Sequence, residues 1–267
     1  MPTVETNDIR MYYDELGSGE PLLCLMGITA PGSVWELHVE VWSHDFRCIM
    51  PDNRGVGQTD KPEGPYSSRM MADDMAGLLD ALALEQVRVV GCSMGSIIAQ
   101  QLALHHPHHV RSMVLMCPWA RCDRYATAVF EHMKHTKAHL APEAFMNFIQ
   151  LLIFAKPHWD DDEAFGDLME GQRAAVEDPA PQPLHALVAQ ADACIQHDVL
   201  AELPRIACPT LVIGGECDIF TPPWMGAEIA QAIGGAERHL YADAGHAFHW
   251  ERIDDFNPRV AQWFLEH

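Results

Sequence analysis

Val87-Arg88-Val89-Val90-Gly91-Cys92-Ser93-Met94-Gly95-Ser96-Ile97-Ile98-Ala99 is the stretch that decides how this chain folds. A short, mostly apolar run of buried-strand length passes without a linker into Gly-Cys-Ser-Met-Gly and then into the small-residue start of a helix. Gly-x-Ser-x-Gly between a strand and a helix is the pattern of a nucleophile elbow, a strained turn that holds the serine hydroxyl above the edge of a sheet. The two glycines are a steric requirement, because a side chain at Gly91 or Gly95 would hold the helix off the strand and open the turn. The motif alone recurs by chance in unrelated proteins, and the strand before it and helix after it supply its weight.

A serine hydroxyl is a weak nucleophile near neutral pH, so Ser93 requires a histidine base and a carboxylate to orient that base. In a strand-turn-helix setting the chain order is serine, acid, histidine. Downstream, Pro209-Thr210-Leu211-Val212-Ile213-Gly214-Gly215 reads as a buried strand that breaks at Glu216-Cys217-Asp218. The short strand around His239-Leu240-Tyr241 ends in Asp243-Ala244-Gly245-His246, with a terminal helix beyond. Ser93, Asp218 and His246 therefore all fall at carboxyl ends of strands, the edge at which parallel sheets keep their chemistry. Asp123, after the strand Met113-Val114-Leu115-Met116-Cys117, is the rival acid. Glu216 is a second rival, and His249 competes with His246 but lies where the last helix begins.

Acyl chemistry at Ser93 also needs hydrogen-bond donors for an oxyanion. The N–H of Met94, the residue after the nucleophile, is one expected donor. Ile28 is the other. It lies in the loop Gly27-Ile28-Thr29-Ala30-Pro31-Gly32 after the strand Pro21-Leu22-Leu23-Cys24-Leu25-Met26.

These motifs together resemble the α/β-hydrolase superfamily, from about residue 9 to the end of the chain. Pro51-Asp52-Asn53-Arg54-Gly55-Val56-Gly57-Gln58-Thr59-Asp60 is similar to the Asp-x-Arg-Gly-x-Gly-x-Ser loop of that family, with Thr59 in the serine's place, and Trp35-Glu36 falls where its first helix opens. The likeness is to small esterases, enol-lactonases of the 3-oxoadipate type and cofactor-free haloperoxidases. It implies an eight-stranded, mostly parallel sheet flanked by helices, with a helical cap inserted after the sixth strand. Where the family usually has His-Gly at the oxyanion loop, this chain has Met26-Gly27. The resemblance also implies no metal and no organic cofactor. Serine at position 93 excludes haloalkane dehalogenase and the usual epoxide hydrolase chemistry, both of which use an aspartate there.

At 267 residues and 48% hydrophobic, the chain suffices for one large α/β domain with an insertion. The division expected is a core of residues 1–118 and 206–267, with a helical lid at 119–205. That middle stretch breaks the strand-helix alternation and reads as helices only, over Tyr125–Met133, Pro142–Phe154, Asp162–Ala175 and Pro183–Gln196. Met146, Phe154 and Trp159, with Phe148, are the candidates there to line a substrate pocket; packing the lid onto the core would demand the same residue types.

The net charge of −21, from 38 acidic against 17 basic residues, argues against nucleic acid and anionic membranes as partners. The amino terminus has no basic start and no apolar segment of export type, so a soluble cytoplasmic protein, monomer or homodimer, is expected. Eight cysteines without a C-x-x-C pair read as free thiols. His105-His106-Pro107-His108-His109 invites a metal reading, but its position at a helix end stopped by Pro107 favours histidines complementing the helix C-terminus. The function expected is that of a serine hydrolase of small carboxylic esters or lactones. Carbon–carbon hydrolysis, acyl transfer and perhydrolysis with the same triad, and a ligand-binding receptor on the same fold, are the alternatives.

Overall fold

The computed structural model describes residues 2–178 and 180–267. Eight strands form one sheet: β1 (Thr3–Thr6), β2 (Ile9–Leu16), β3 (Glu20–Leu25), β4 (Phe46–Pro51), β5 (Val87–Cys92), β6 (Val110–Met116), β7 (Thr210–Gly215) and β8 (Glu237–Tyr241). Their spatial order is β1-β2-β4-β3-β5-β6-β7-β8; β2 pairs antiparallel with both β1 and β4, and all pairs from β4 to β8 are parallel. The expected sheet is thus present.

Alternate residues of each central strand enter two different cores, as a pleated strand covered on both faces requires. Leu23, Leu25, Val87, Val89, Met113 and Leu115 join one apolar cluster with α2 (Ser68–Ala81) and α3 (Met94–His105). Leu22, Cys24, Val90, Cys92, Val114 and Met116 join the other with α1 (Glu36–Trp42) and the C-terminal helix. Helix α3 is buried along nearly its whole length, which explains why its sequence lacks a polar face.

Between β6 and β7 the described residues form helices and no strand: α4 (Arg124–His139), α5 (Pro142–Ile153), α6 (Lys156–Asp160), α7 (Asp162–Val176) and α8 (Leu184–Gln196). The segment leaves and returns at one point, where the Val199 N–H bonds the Ala120 carbonyl at 2.9 Å and Arg121 bridges Asp198. Helix α4 packs on α8, and α5 packs on α7. The chain then closes with α9 (Pro223–Ala232), α10 (Phe248–Glu251) and α11 (Ile253–Glu266). No described helix is long and apolar enough to cross a membrane.

Candidate active site

Ser93 sits between β5 and α3 with φ 53° and ψ −116°, a backbone conformation that costs about 1–3 kcal/mol and persists only where its surroundings enforce it. Here the enforcement is backbone bonding and close packing. The Ser93 N–H donates to the Met116 carbonyl at 2.9 Å, and the Ser93 carbonyl accepts from the Ser96 N–H at 2.8 Å and the Ser96 hydroxyl at 2.6 Å. A methyl group at Gly95 would overlap the carbonyl of Leu25, and one at Gly91 the carbonyl of Gly95. The glycines of the motif therefore let β3, β5 and α3 meet backbone to backbone. Ser93 Oγ is buried and has no hydrogen-bond partner among the described residues.

Asp218 lies three residues past the end of β7, and His246 lies in the turn between β8 and α10. His246 Nδ1 donates to Asp218 Oδ2 at 2.8 Å, and both side chains are buried. The other oxygen of Asp218 accepts the backbone N–H groups of Phe220, at 2.8 Å, and Thr221, at 2.9 Å. The Thr221 hydroxyl stands 3.0 Å from Asp218 Oδ2, 3.0 Å from His246 Nδ1 and 3.1 Å from the Cys117 carbonyl. A carboxylate has about four lone-pair directions, and three of them here meet N–H groups while the Thr221 oxygen lies along the fourth. The two loops are joined by bonds from the Glu216 and Cys217 N–H groups to the Tyr241 and Ala244 carbonyls, both 2.9 Å. Gly215 permits this approach, since a methyl there would overlap the carbonyls of Ala244 and Gly245.

The rivals are engaged elsewhere. Asp123 caps α4 by accepting the Ala126 N–H at 2.8 Å, and Glu216 is exposed. His249 is buried in a separate chain of polar groups. Asn257 Nδ2 donates to the Leu37 carbonyl at 3.3 Å, leaving Oδ1 to accept from His38 Nδ1 at 2.6 Å. His38 Nε2 then accepts from His249 Nδ1 at 2.9 Å, and His249 Nε2 faces the Cys92 thiol at 3.9 Å. Burial holds His38 down at about 4, and burial beside His38 and His246 holds His249 well below the usual histidine range. Both rings are neutral at pH 7. Burial pushes the Cys92 thiol up to about 12.

At the expected oxyanion loop, an ideal Cβ on Gly27 would lie 3.3 Å from Ser93 Cβ and 3.8 Å from Oγ, so the Gly27-Ile28 loop runs directly beside Ser93. Met94 opens α3, where N–H groups point out of the helix end. Two side chains hold this loop. Asn53 Nδ2 donates to the Met26 carbonyl at 3.0 Å, while Gln190 on α8 accepts the Thr29 N–H at 3.2 Å and donates to the Arg54 carbonyl at 2.8 Å. Thr29 has φ 70°, a conformation that such a bond helps to maintain. Thr59 fills the family serine's place by donating to the Asp52 carbonyl at 2.8 Å and accepting the Tyr12 N–H at 2.9 Å.

Of the apolar residues expected around the site, Met146 packs against the cluster that contains Ile28, Met94 and Phe130. The ring of Phe154 stacks between His158, at 4.6 Å, and Trp250, at 6.0 Å, and Trp159 meets Phe165 at 6.2 Å. Phe220, which carried no signal in the sequence, covers the His246 ring at 4.8 Å and links it to Phe130 of α4 at 5.4 Å. Thr221, three residues after Asp218 in a Thr-Pro-Pro turn, was the one unpredicted polar contributor with a local signal, because that spacing suits an aspartate-led turn. Gln190 had none.

Cys117, Asp218 and His246 bring sulfur, oxygen and nitrogen atoms within 4.8 Å of one another. Each is already committed: the Cys117 thiol donates to the His246 carbonyl at 3.0 Å, and the other two bond each other. A metal would have to displace these bonds. His106 pairs with Asp73 at 2.7 Å and His109 Nδ1 bonds the Leu84 carbonyl at 3.1 Å, which accounts for two members of the histidine cluster by local contacts. The eight cysteines are free.

An α/β sheet with a strained serine after β5 and a carboxylate-imidazole pair at the same edge defines a hydrolase of the α/β type. The family profile of the alpha/beta hydrolase fold matches residues 20–253, and the chain belongs to that family. It is 32% identical over 261 residues to a putative non-heme bromoperoxidase, BpoC, of Mycobacterium tuberculosis, covering 96% of this chain and 98% of that protein. It is 28% identical over 275 residues to the 2-hydroxy-6-oxo-6-phenylhexa-2,4-dienoate hydrolase of Comamonas testosteroni, covering 98% and 93%. The enol-lactonase of Burkholderia xenovorans LB400 superposes with a TM-score of 0.89 at 25% identity over 99% of this chain and 100% of that one.

Proposed function

We propose that the protein hydrolyses small carboxylic esters or lactones through an acyl-enzyme on Ser93. The observation that carries this reading is the 2.8 Å bond from His246 Nδ1 to Asp218, which leaves Nε2 as the basic nitrogen of the imidazole, at the same sheet edge as the strained serine. His246 takes the proton of Ser93 Oγ as that oxygen attacks the carbonyl carbon. The N–H groups of Ile28 and Met94 hold the oxyanion, and His246 then protonates the leaving alkoxide. Water attacks the acyl-enzyme with the same base, releasing the acid and restoring the serine. Every proton is carried by His246, so the cycle needs no cofactor. Residues 119–205 act as the cap, with α5 to α7 over the site and Met146, Phe154 and Trp159 as its substrate-side candidates.

The relatives' names favour a second reading that keeps the triad and changes the partner of the acyl group. A bromoperoxidase of this kind needs peroxide in place of water, and a dienoate hydrolase breaks a carbon–carbon bond. The deciding experiment is turnover of p-nitrophenyl esters from acetate to laurate, with Ser93→Ala as control and hydrogen peroxide as a competing acceptor. Turnover that peaks at one chain length and disappears in the variant supports the ester reading. A folded enzyme that turns over none of them, or an activity that survives the substitution, refutes it.

A further inference from the structure

Three consecutive residues around the catalytic histidine are each tied to something outside their own loop. The Gly245 N–H donates to one carboxylate oxygen of Glu251 at 2.7 Å, the His246 carbonyl accepts the Cys117 thiol at 3.0 Å, and the Ala247 N–H donates to the Ile153 carbonyl at 2.8 Å. The second oxygen of Glu251 accepts the Ala155 N–H at 2.6 Å. Ile153 ends α5 and Ala155 precedes α6, at the turn between these two helices of the cap. Both N–H groups flanking His246 are therefore bonded to the same three-residue piece of the cap, one directly and one through a single carboxylate.

The fit is close. An ideal Cβ at Gly245 would come within 2.6 Å of the Ile153 carbonyl and 2.8 Å of the Ala155 nitrogen, so only glycine lets the cap turn lie against the histidine loop. Elsewhere α8 is fastened to the core through the fully buried Gln190. Segment α5 to α7 carries few buried side chains, and α6 has none. The Ile153–Ala155 turn thus ties the less buried half of the cap to the catalytic loop. Meanwhile Ser93 Oγ lacks a hydrogen-bond partner among the described residues, and catalytic contacts of this kind commonly tighten only once substrate is bound.

We propose that Glu251 is a positioning residue that makes the placement of the His246 imidazole depend on how the cap is seated. The inference rests on the serine-hydrolase reading above. A charged acceptor shared by two backbone donors transmits a displacement of Ala155 to Gly245, one residue before the base. Seating of the cap on substrate then sets His246 toward Ser93, and an unseated cap leaves the base out of register.

The test uses two variants of the full chain. Glu251→Gln leaves one accepting oxygen where two N–H groups need one each. Ala155→Pro breaks the link from the cap side, replacing the donor by a ring methylene from which the Glu251 carboxylate must withdraw, at a position whose φ of −74° and whose extended predecessor both suit proline. The readouts are kcat and KM on the best p-nitrophenyl ester, thermal midpoint, and the downfield proton resonance of the His246–Asp218 hydrogen bond. Each variant is expected to lower kcat by roughly tenfold to a hundredfold, the value of one hydrogen bond to a charged group, with KM changed far less. The double variant should lose little more than either single one, because both break the same link. The resonance should shift or broaden in both. Effects that add in the double variant, or an unmoved kcat and resonance with only a lower melting temperature, overturn the proposal. If wild type shows no Ser93-dependent turnover, the serine-hydrolase reading fails, and the resonance alone decides whether Glu251 couples the cap to His246.

Discussion

Replacing Asp218 by asparagine tests the site at its most determined point. The two backbone N–H groups of Phe220 and Thr221 both point at Oδ1, at 2.8 and 2.9 Å, and they accept nothing in return. The amide of Asp218→Asn must therefore place its oxygen there and its NH2 where Oδ2 now stands, 2.8 Å from His246 Nδ1. A nitrogen facing an NH2 at that distance has to be the unprotonated one. The imidazole is forced to carry its proton on Nε2, which then has no lone pair for the Ser93 hydroxyl. In triads built this way the wrong tautomer costs about 10⁴ in kcat, or about 5 kcal/mol of barrier. Removing the Thr221 hydroxyl by Thr221→Val leaves the tautomer correct, and its effect should be of the order of tenfold. Asp123→Asn should leave kcat within about twofold, since asparagine caps a helix as well as aspartate. The assay is steady-state hydrolysis of the preferred ester by proteins whose thermal unfolding matches wild type. A folded Asp218→Asn enzyme within tenfold of wild type, or a collapse of activity in Asp123→Asn, would refute the assignment of the acid.

Acid should destabilise the fold through the buried histidines. His38 is held near 4 against about 6.5 unfolded, so the unfolded chain binds the extra proton between those values and stability falls as pH drops from about 6.5 to 4; His38 alone accounts for about 3 kcal/mol, with His249 adding to it. Urea unfolding at pH 7, 5 and 4 checks this, and a flat profile would contradict it. Gly95→Ala drives a methyl into the Leu25 carbonyl and should cost at least about 1–3 kcal/mol or abolish folding; a urea midpoint equal to wild type would show that α3 can withdraw from β3. Gln190→Leu leaves the Thr29 N–H and the Arg54 carbonyl without their partner, and should lower stability by about 1–3 kcal/mol and kcat/KM by roughly tenfold through a displaced oxyanion loop. Pre-steady-state acylation rates should show the fall in the first half-reaction.

What was legible in the sequence was legible because it is local. A Gly-x-Ser-x-Gly turn, the strand before it, the buried helix after it and the carboxyl ends of β7 and β8 are each specified by neighbours a few residues apart. Chain order then puts Ser93, Asp218 and His246 at one edge. Four of the described helices between β6 and β7 are equally readable, to within a few residues except at the end of α4, because amphipathic periodicity and Pro142 mark them, whereas the five-residue α6 is too short to show a period. Contacts across long separations were not legible. Nothing near Gln190 in the sequence announces that it holds the loop after β3, 161 residues away, and nothing near Glu251 announces that it joins Gly245 to Ala155. Phe220 and Cys117 likewise gain their places over and under His246 only when three loops converge. The sequence determined which backbone turns form, since these depend on local sterics and on a period of two or 3.6 residues. Only the tertiary structure decided which side chains brace those turns, because any polar residue of suitable length could serve and packing alone selects the one that arrives.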